Sequence, residues 1–203
     1  MSDTIRNILK KEADAIMNIP ITDSFEKTIN LVYRNVHKKN GKVITSGMGK
    51  AGQIAINIAT TFSSTGTPSI FLHPSDAQHG DLGVIQENDV FFLISNSGKT
   101  REIIELVELA KNLNPKLPII VISSQKDSPL AKLANVVILT GNPKEVCPLG
   151  LSPTTSTTVM TVIGDALVVC MMKKIGFTAS DYALRHHGGY LGSKSREAAR
   201  NGY

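Results

Sequence analysis

VFFLISNSGKTREIIELVELA (Val90–Ala110) decides the fold. Val90–Ile94 is a short, unbroken apolar run, which suits a strand covered on both faces better than one with a wet face. A hydroxyl-rich turn, Ser95–Thr100, then leads into a helical stretch, Thr100–Leu113. The same strand–turn–helix order repeats on either side. Further β-rich runs occur at Val43–Thr45, Ser69–Leu72, Ile119–Ile122 and Val136–Leu139, with helical stretches at Gly49–Ser64 and Ser128–Ala134. Apolar strands alternating with helices predict an α/β fold: one doubly wound three-layer sandwich with a five-stranded parallel sheet flanked by helices.

Working outward, residues 1–41 read as two helices. Ile5, Ile8, Leu9 and Ile16 recur at helical spacing up to Pro20, and Phe25, Ile29, Val32 and Val36 continue to the KKNG break at Lys38–Gly41. Asp23 with Glu26 gives a capping signal for the second helix. Residues 42–192 form the main domain, and 193–203 a basic tail. A long helix precedes the tail, with Ser152 predicted as N-cap, Pro153 at its first position, and an apolar stripe through Val159, Val162, Ile163, Ala166, Leu167 and Cys170. Asp165 interrupts this stripe, so it is either exposed or paired at a subunit interface.

Composition narrows the function. Of 203 residues, 41% are hydrophobic, which is enough apolar area for a folded core and excludes a disordered chain. The 22 Lys and Arg exceed the 17 Asp and Glu, a net +5 that suits either nucleic acid or a small anion. Only 5% of residues are aromatic and none is Trp, so stacking platforms for bases are scarce, and no nucleic-acid motif is present. The anion is the better reading. Cys147 and Cys170 lie too far apart for a C-x-x-C site, and Cys147 reads as a packing residue. The N-terminus carries charge throughout, and the longest apolar run, Val159–Met172, contains Asp165 and falls short of the ~20 residues of a membrane span. A cytoplasmic protein without membrane partners is expected.

Two nucleotide motifs fail on inspection. Gly47-x-Gly49-x-x-Gly52 follows a strand and opens a helix, but the next strand ends Phe71-Leu72-His73 with no carboxylate for a ribose until Asp76. Gly98-Lys99-Thr100 resembles the end of a phosphate loop, but the first glycine of that motif would fall at Leu93. What remains is a cluster of hydroxyls and an amide, Ser95, Asn96, Ser97 and Thr100, at the start of a helix after a strand's carboxyl end. An isolated Ser-x-x-Thr would merely cap the helix. The cluster, where ligands of doubly wound sheets bind, points to a phosphate.

Together these stretches resemble the sugar isomerase (SIS) family of phosphosugar-binding domains. The resemblance is carried by SGMGKAGQ (Ser46–Gln53), STGTPSIFLHPSDAQHGDLG (Ser64–Gly83), ISNSGKT (Ile94–Thr100), EVCPLGLSPTTSTT (Glu145–Thr158), GDAL (Gly164–Leu167) and HHGGYLG (His186–Gly192). The HGDLG, CPLGL and terminal motifs are similar to those of the branch that interconverts ribulose 5-phosphate and arabinose 5-phosphate. That branch supplies the eight-carbon sugar acid of lipopolysaccharide or capsule. The resemblance implies an aldose–ketose isomerase that works through an enediol and needs no cofactor.

It also implies roles. Lys50, Glu102, Glu145, His79 and His186 match catalytic positions, with His186 favoured for proton transfer and His79 for positioning substrate or opening the sugar ring. The base stays open between His186 and the glutamates. Ser46, Gly47, Gly49, Gly66, Thr67, His73 and the turn residues Ser95, Asn96, Ser97 and Thr100 match substrate contacts. No metal is required, although His73 matches a position where some members accept inhibitory zinc. In the family, sites are completed by neighbouring subunits, and a homotetramer is expected here, with His79 and His186 coming from chains other than the one supplying Lys50. Longer members continue into a paired cystathionine-β-synthase (CBS) module, and a form without it is expected here.

Two departures stand out. Lys99 replaces a family glutamate beside the phosphate turn, and His187 replaces the proline after His186. Two rival readings fit the same fold: an isomerase of a hexulose or heptose phosphate, and a non-catalytic phosphosugar sensor.

Overall fold

Five strands pair in parallel in the order β2-β1-β3-β4-β5. They are β1 (Val43–Gly47), β2 (Ser69–Phe71), β3 (Val90–Ile94), β4 (Ile119–Ser123) and β5 (Val136–Leu139). The registers Val43↔Ser69, Val43↔Val90, Phe91↔Ile119 and Ile120↔Val136 align their carboxyl ends along one side of the molecule. The computed structural model describes residues 1–200.

The expected five-stranded α/β sandwich is present, and alternation along each strand explains why its apolar runs are continuous. Val43, Val90, Phe92, Ile94, Ile120, Ile122 and Ile138 face one core. It is covered by α2 (Asp23–Val32), α3 (Lys50–Ser64) and α7 (Thr155–Ile175). Ile44, Phe91, Leu93, Ile119 and Val121 face the opposite core, beneath α4 (Pro74–Ala77), α5 (Arg101–Leu113) and α6 (Pro129–Leu133). Phe91, Phe92, Ile44 and Ile120 are completely buried, and each such side chain contributes roughly 1.5–3 kcal/mol. At the amino ends of the strands, Asp89 is fully buried. Its carboxylate accepts from the Lys42 backbone N–H at 2.9 Å and from Lys42 Nζ at 2.7 Å, tying the starts of β1 and β3 together.

The N-terminal helix α1 (Ser2–Met17) buries no residue completely and touches α7. After α2 the chain makes a π-helical turn, Tyr33–His37, which the periodicity does not reveal. The N-cap of α2 is Thr22, whose hydroxyl accepts from the Ser24 N–H; Asp23 and Glu26 sit in the first turn instead. Two more helices, α8 (Ala179–Ala183) and α9 (Gly189–Arg200), follow α7, and the rest of the basic tail, 201–203, lies outside the described residues.

Two expectations for α7 need correction. It begins at Thr155 with Thr154 as N-cap, two residues after the Ser152–Pro153 start, because an upstream carboxylate holds its first amides. Val159, Ile163 and Leu167 of the expected stripe are buried, whereas Ala166 and Cys170 are exposed and Val162 is half-buried. The buried face runs instead through Met160, Gly164, Val168 and Met171 as well, and Asp165 points to solvent. By length and composition alone α7 could cross a membrane, but half of its apolar window is buried against the sheet and α3.

Candidate active site

The ends of β1 and β3 and the start of α7 enclose a cleft of about 720 Å³ at the carboxyl end of the sheet. Lys50, Ser95, Asn96, Ser97, Thr100 and Glu145 all line it. They come from three separate segments, so the site is made by the topology.

The first segment is the β1–α3 turn. A Cβ on Gly52 would lie 2.7 Å from the Gly47 carbonyl oxygen, so the glycine spacing permits close approach of strand and helix. Gly49, with φ +58°, is the N-cap of α3 and delivers Lys50 as its first residue. Ser46 lies underneath. It is fully buried, and its Oγ donates to the Leu72 carbonyl at 2.6 Å, so its hydroxyl ties β1 to the chain after β2.

The second segment is the β3–α5 turn. Ser95 Oγ and Thr100 Oγ1 are hydrogen-bonded at 3.0 Å. The Asn96 carbonyl accepts from the Ser123 hydroxyl at 3.1 Å and the Ser124 hydroxyl at 2.8 Å, which locks the turn to the end of β4. Gly98 has φ +60°, and a side chain there would run into Ser128. Thr100, the N-cap of α5, lines the cleft, and among the described residues its side chain makes no capping bond, so the positive end of the helix dipole lies beside the cleft. That arrangement suits a phosphate dianion.

Glu145 forms the third. Its Oε2 accepts from the Thr154 N–H at 2.7 Å, the Thr154 hydroxyl at 2.9 Å and the Ser156 N–H at 3.3 Å. Burial pushes this carboxyl up, but hydrogen bonds from Ser156 and Thr154 outweigh it and hold the group below its usual range. Glu145 is therefore a carboxylate at neutral pH, an acceptor of protons and not a donor.

The remaining candidates lie elsewhere in the chain. Glu102 is half-buried in the first turn of α5 and does not line the cleft. His73 follows β2, with Nδ1 at 3.8 Å from Asp76, and among the described residues no three potential ligands gather for a metal. His79 is exposed after α4. Gly66 and Thr67 precede β2, at the amino end of the sheet and away from the cleft. Thr67 Oγ1 is 3.1 Å from His37 Nε2, and Gly66 lies beneath the Phe177 ring. Burial pushes the His37 pKa down.

His186 sits between α8 and α9, stacked on Tyr182 at 3.7 Å. Its Nδ1 is 3.0 Å from the Tyr182 carbonyl, which can only accept. Nδ1 therefore carries the hydrogen, and in the neutral ring Nε2 keeps its lone pair for a proton.

Lys144, Gly150, Leu151, Ser156 and Thr157 also line the cleft and were not singled out from sequence. Ser156 and Thr157 belong to the quoted TTSTT run, but nothing local marks Lys144. Cys147 is half-exposed rather than packed in the core. Backbone N–H groups of Ser152, Leu151 and Leu149 and the Ser152 hydroxyl lower its thiol to about 7.

The sequence matches the SIS domain profile over residues 36–170. It is 44% identical to arabinose 5-phosphate isomerase KdsD of Yersinia pestis over 186 residues, 92% of this chain and 55% of that one. The chain thus spans about half the length of the curated relatives it matches. Among solved structures, a Bacteroides fragilis protein assigned as a phosphosugar isomerase involved in capsule formation shares 64% identity with a TM-score of 0.92. That match covers 94% of this chain and 99% of that one. An Escherichia coli protein solved in complex with arabinose 5-phosphate shares 35% identity with a TM-score of 0.83, covering 90% and 95%. The matched profile contains both glycine turns, the whole sheet, Glu145 and most of α7, and on that basis the chain belongs to the SIS domain family.

Proposed function

We propose that the chain is an aldose–ketose isomerase interconverting D-ribulose 5-phosphate and D-arabinose 5-phosphate, for the eight-carbon sugar acid of lipopolysaccharide or capsule. The observation that carries this reading is the shared cleft. An uncapped helix start with open hydroxyls, a lysine and a hydrogen-bonded carboxylate face one space of about 720 Å³. The likeness to a protein solved with arabinose 5-phosphate supports the choice of substrate.

In this reading the phosphate sits on the Ser95–Thr100 turn, where directed N–H and O–H donors meet the positive end of α5. Lys50 stands where charge develops on the carbonyl oxygen and stabilises it. From the aldose, a base takes the C2 proton while O1 gains one, giving the enediol. The proton then returns to C1 as the O2 hydroxyl loses its own, and the ketose forms. Lysine, carboxylate and imidazole suffice for these proton movements, without a redox cofactor. His186 Nε2 is the favoured proton carrier, with His79 assisting ring opening.

Neither histidine lines the cleft of its own chain, so both arrive from neighbouring chains of a homotetramer. Ile5, Leu9 and Met17 on α1 and Leu184, Tyr190 and Leu191 around α9 are exposed and give apolar faces for that assembly. The half-buried α7 and the scarcity of aromatic platforms favour a cytoplasmic enzyme without membrane or nucleic-acid partners.

The test is purified protein with ribulose 5-phosphate, followed by NMR, beside His186→Ala. Wild type should form arabinose 5-phosphate and the variant should lose about a hundredfold or more in kcat. No product from wild type would move the reading to a sensor or another sugar phosphate. A fully active monomer in sedimentation would remove the shared-site assembly.

A further inference from the structure

Glu12 lies on α1, outside the residues matched to the family profile, and no ion pair involves it among the described residues. Its Oε1 accepts from Thr155 Oγ1 at 2.9 Å, across 143 positions of sequence. Thr155 is the first residue of α7 and is 1% exposed. The same hydroxyl oxygen accepts from the Val146 N–H at 3.2 Å. Val146 adjoins Glu145, whose carboxylate holds the N–H groups of Thr154 and Ser156 on either side of Thr155. The segment after β5 and the start of α7 are thus pinned to each other twice. Glu145 makes one tie, and the chain Val146 N–H, Thr155 hydroxyl, Glu12 carboxylate makes the other.

A hydroxyl that donates to a carboxylate becomes a better acceptor, and a buried hydroxyl has a fixed orientation only when its donor bond is made. Without Glu12, the Thr155 hydrogen is free to turn, and the Val146 N–H loses its aligned acceptor. Glu12 also makes the one side-chain hydrogen bond that joins α1 to residues beyond the first helix connection among the described residues. A helix with no fully buried residue is tied down at the level of the cleft wall.

We propose that Glu12 is a positioning residue, acting through Thr155 and Val146 to fix Glu145 in the cleft. This rests on the isomerase reading for its kinetic consequence but not for its structural one. It makes the N-terminal helix part of the working site.

The experiment uses the full chain with Glu12→Ala, Thr155→Val, the double variant and Glu12→Gln. Two readouts are taken: kcat and KM with ribulose 5-phosphate, and alkylation of Cys147 relative to Cys170 by N-ethylmaleimide. Glu12→Ala should lower kcat about tenfold with KM within about twofold, since displaced catalytic groups cost rate more than ground-state binding. Cys147 is already half-exposed and its thiol is activated by N–H groups of the same pinned segment, so it should react about threefold or more slower relative to Cys170 at pH 7 as that segment loosens. Thr155→Val should reproduce both effects, and the double variant should be no worse than the worse single, because the groups act in one chain. Glu12→Gln keeps an acceptor oxygen and should recover most of the lost kcat. If Glu12→Ala does not fold, Thr155→Val against Glu12→Gln carries the same comparison. Unchanged Cys147 reactivity in Glu12→Ala and Thr155→Val, or losses that multiply in the double variant, would overturn the proposal. If wild type does not turn over ribulose 5-phosphate, the isomerase reading fails, and Cys147 labelling still decides whether Glu12 holds the segment.

Discussion

Helices α5 and α7 both begin at the cleft, yet their amino ends are satisfied in opposite ways. The end of α7 is filled by the protein itself, because Glu145 accepts from the Thr154 and Ser156 N–H groups. The end of α5 has no side-chain cap, and the hydroxyls before it bond only to each other or to the adjoining turn. A helix start attracts an anion in either case. Where the chain supplies a carboxylate, the end becomes a fixed wall bearing negative charge. Where it supplies only hydroxyls and amides, the end is left for an anion from outside. In the proposed function, these two ends would hold the sugar phosphate at α5 and take protons at Glu145.

The comparison breaks most sharply if α5 is given what α7 already has. Ser97→Asp places a carboxylate in the turn proposed to hold the phosphate, where it would repel a dianion. Activity with ribulose 5-phosphate should fall about a thousandfold in kcat/KM, as expected for like charges a few ångströms apart in a partly desolvated site. Thermal stability should hold or rise, because an acidic group at a helix start contributes about 0.3–1 kcal/mol. Retained activity would mean that the phosphate binds elsewhere.

The reverse change empties α7. Glu145→Ala leaves two amides without their acceptor and should cost about 1–2 kcal/mol in urea denaturation, the range for losing a cap. Its kcat should fall about a hundredfold if the carboxylate takes part in proton movement. Loss of stability alone, with kcat intact, would reduce Glu145 to a cap.

A pair of variants sharpens the distinction between turns of similar sequence. Ser46 and Ser95 open the matching segments SGMGK and SNSGK. Ser46→Ala removes the donor to the Leu72 carbonyl and should cost about 1–3 kcal/mol with KM unchanged. Ser95→Ala should instead raise KM about tenfold, as for one lost hydrogen bond to a charged group, with a smaller stability cost of about 0.5–1.5 kcal/mol for its bond to Thr100. If the two exchange behaviour, the assignment of open and closed turns is wrong.

That pair also shows what the sequence could reveal. The strands were legible because both faces of the sheet are covered, which forces runs such as Val90–Ile94 that admit few other readings. Ser95, Asn96, Ser97 and Thr100 could be grouped because strand ends and turn chemistry are local, whereas Lys50 is marked by the family motif; all five line one cleft. Nothing local shows that the Ser46 hydroxyl is taken by a carbonyl 26 positions away. The α7 start departs from its sequence signal for the same reason. Ser152 and Pro153 carry the usual start signal, but the group that caps the helix is Glu145, brought there by folding. Gly66 and Thr67 match family substrate contacts by motif, and only the topology shows that they lie at the far end of the strands. Glu12 was invisible, since its partner is 143 positions away.

Acid exposes the remaining difference between the two helix starts. Burial raises the Glu145 carboxyl, but bonds from Ser156 and Thr154 prevail and its folded pKa lies below the ordinary 4.5. A carboxyl depressed on folding stabilises the native state fully above its unfolded value, and that contribution disappears as pH falls through the folded value. Wild type and Glu145→Gln should therefore differ in Tm by a constant amount above about pH 5, with the gap narrowing below the ordinary carboxyl range. The shift is a modest one on a partly exposed group, so this is the smallest of the expected effects. Ser97→Ala, which alters the uncapped start of α5, provides the contrast. It removes no carboxylate, and its Tm difference from wild type should not change with pH over the same range. Parallel narrowing in both variants would mean that acid weakens the fold generally, and that the charge at α7 has no separate part in it.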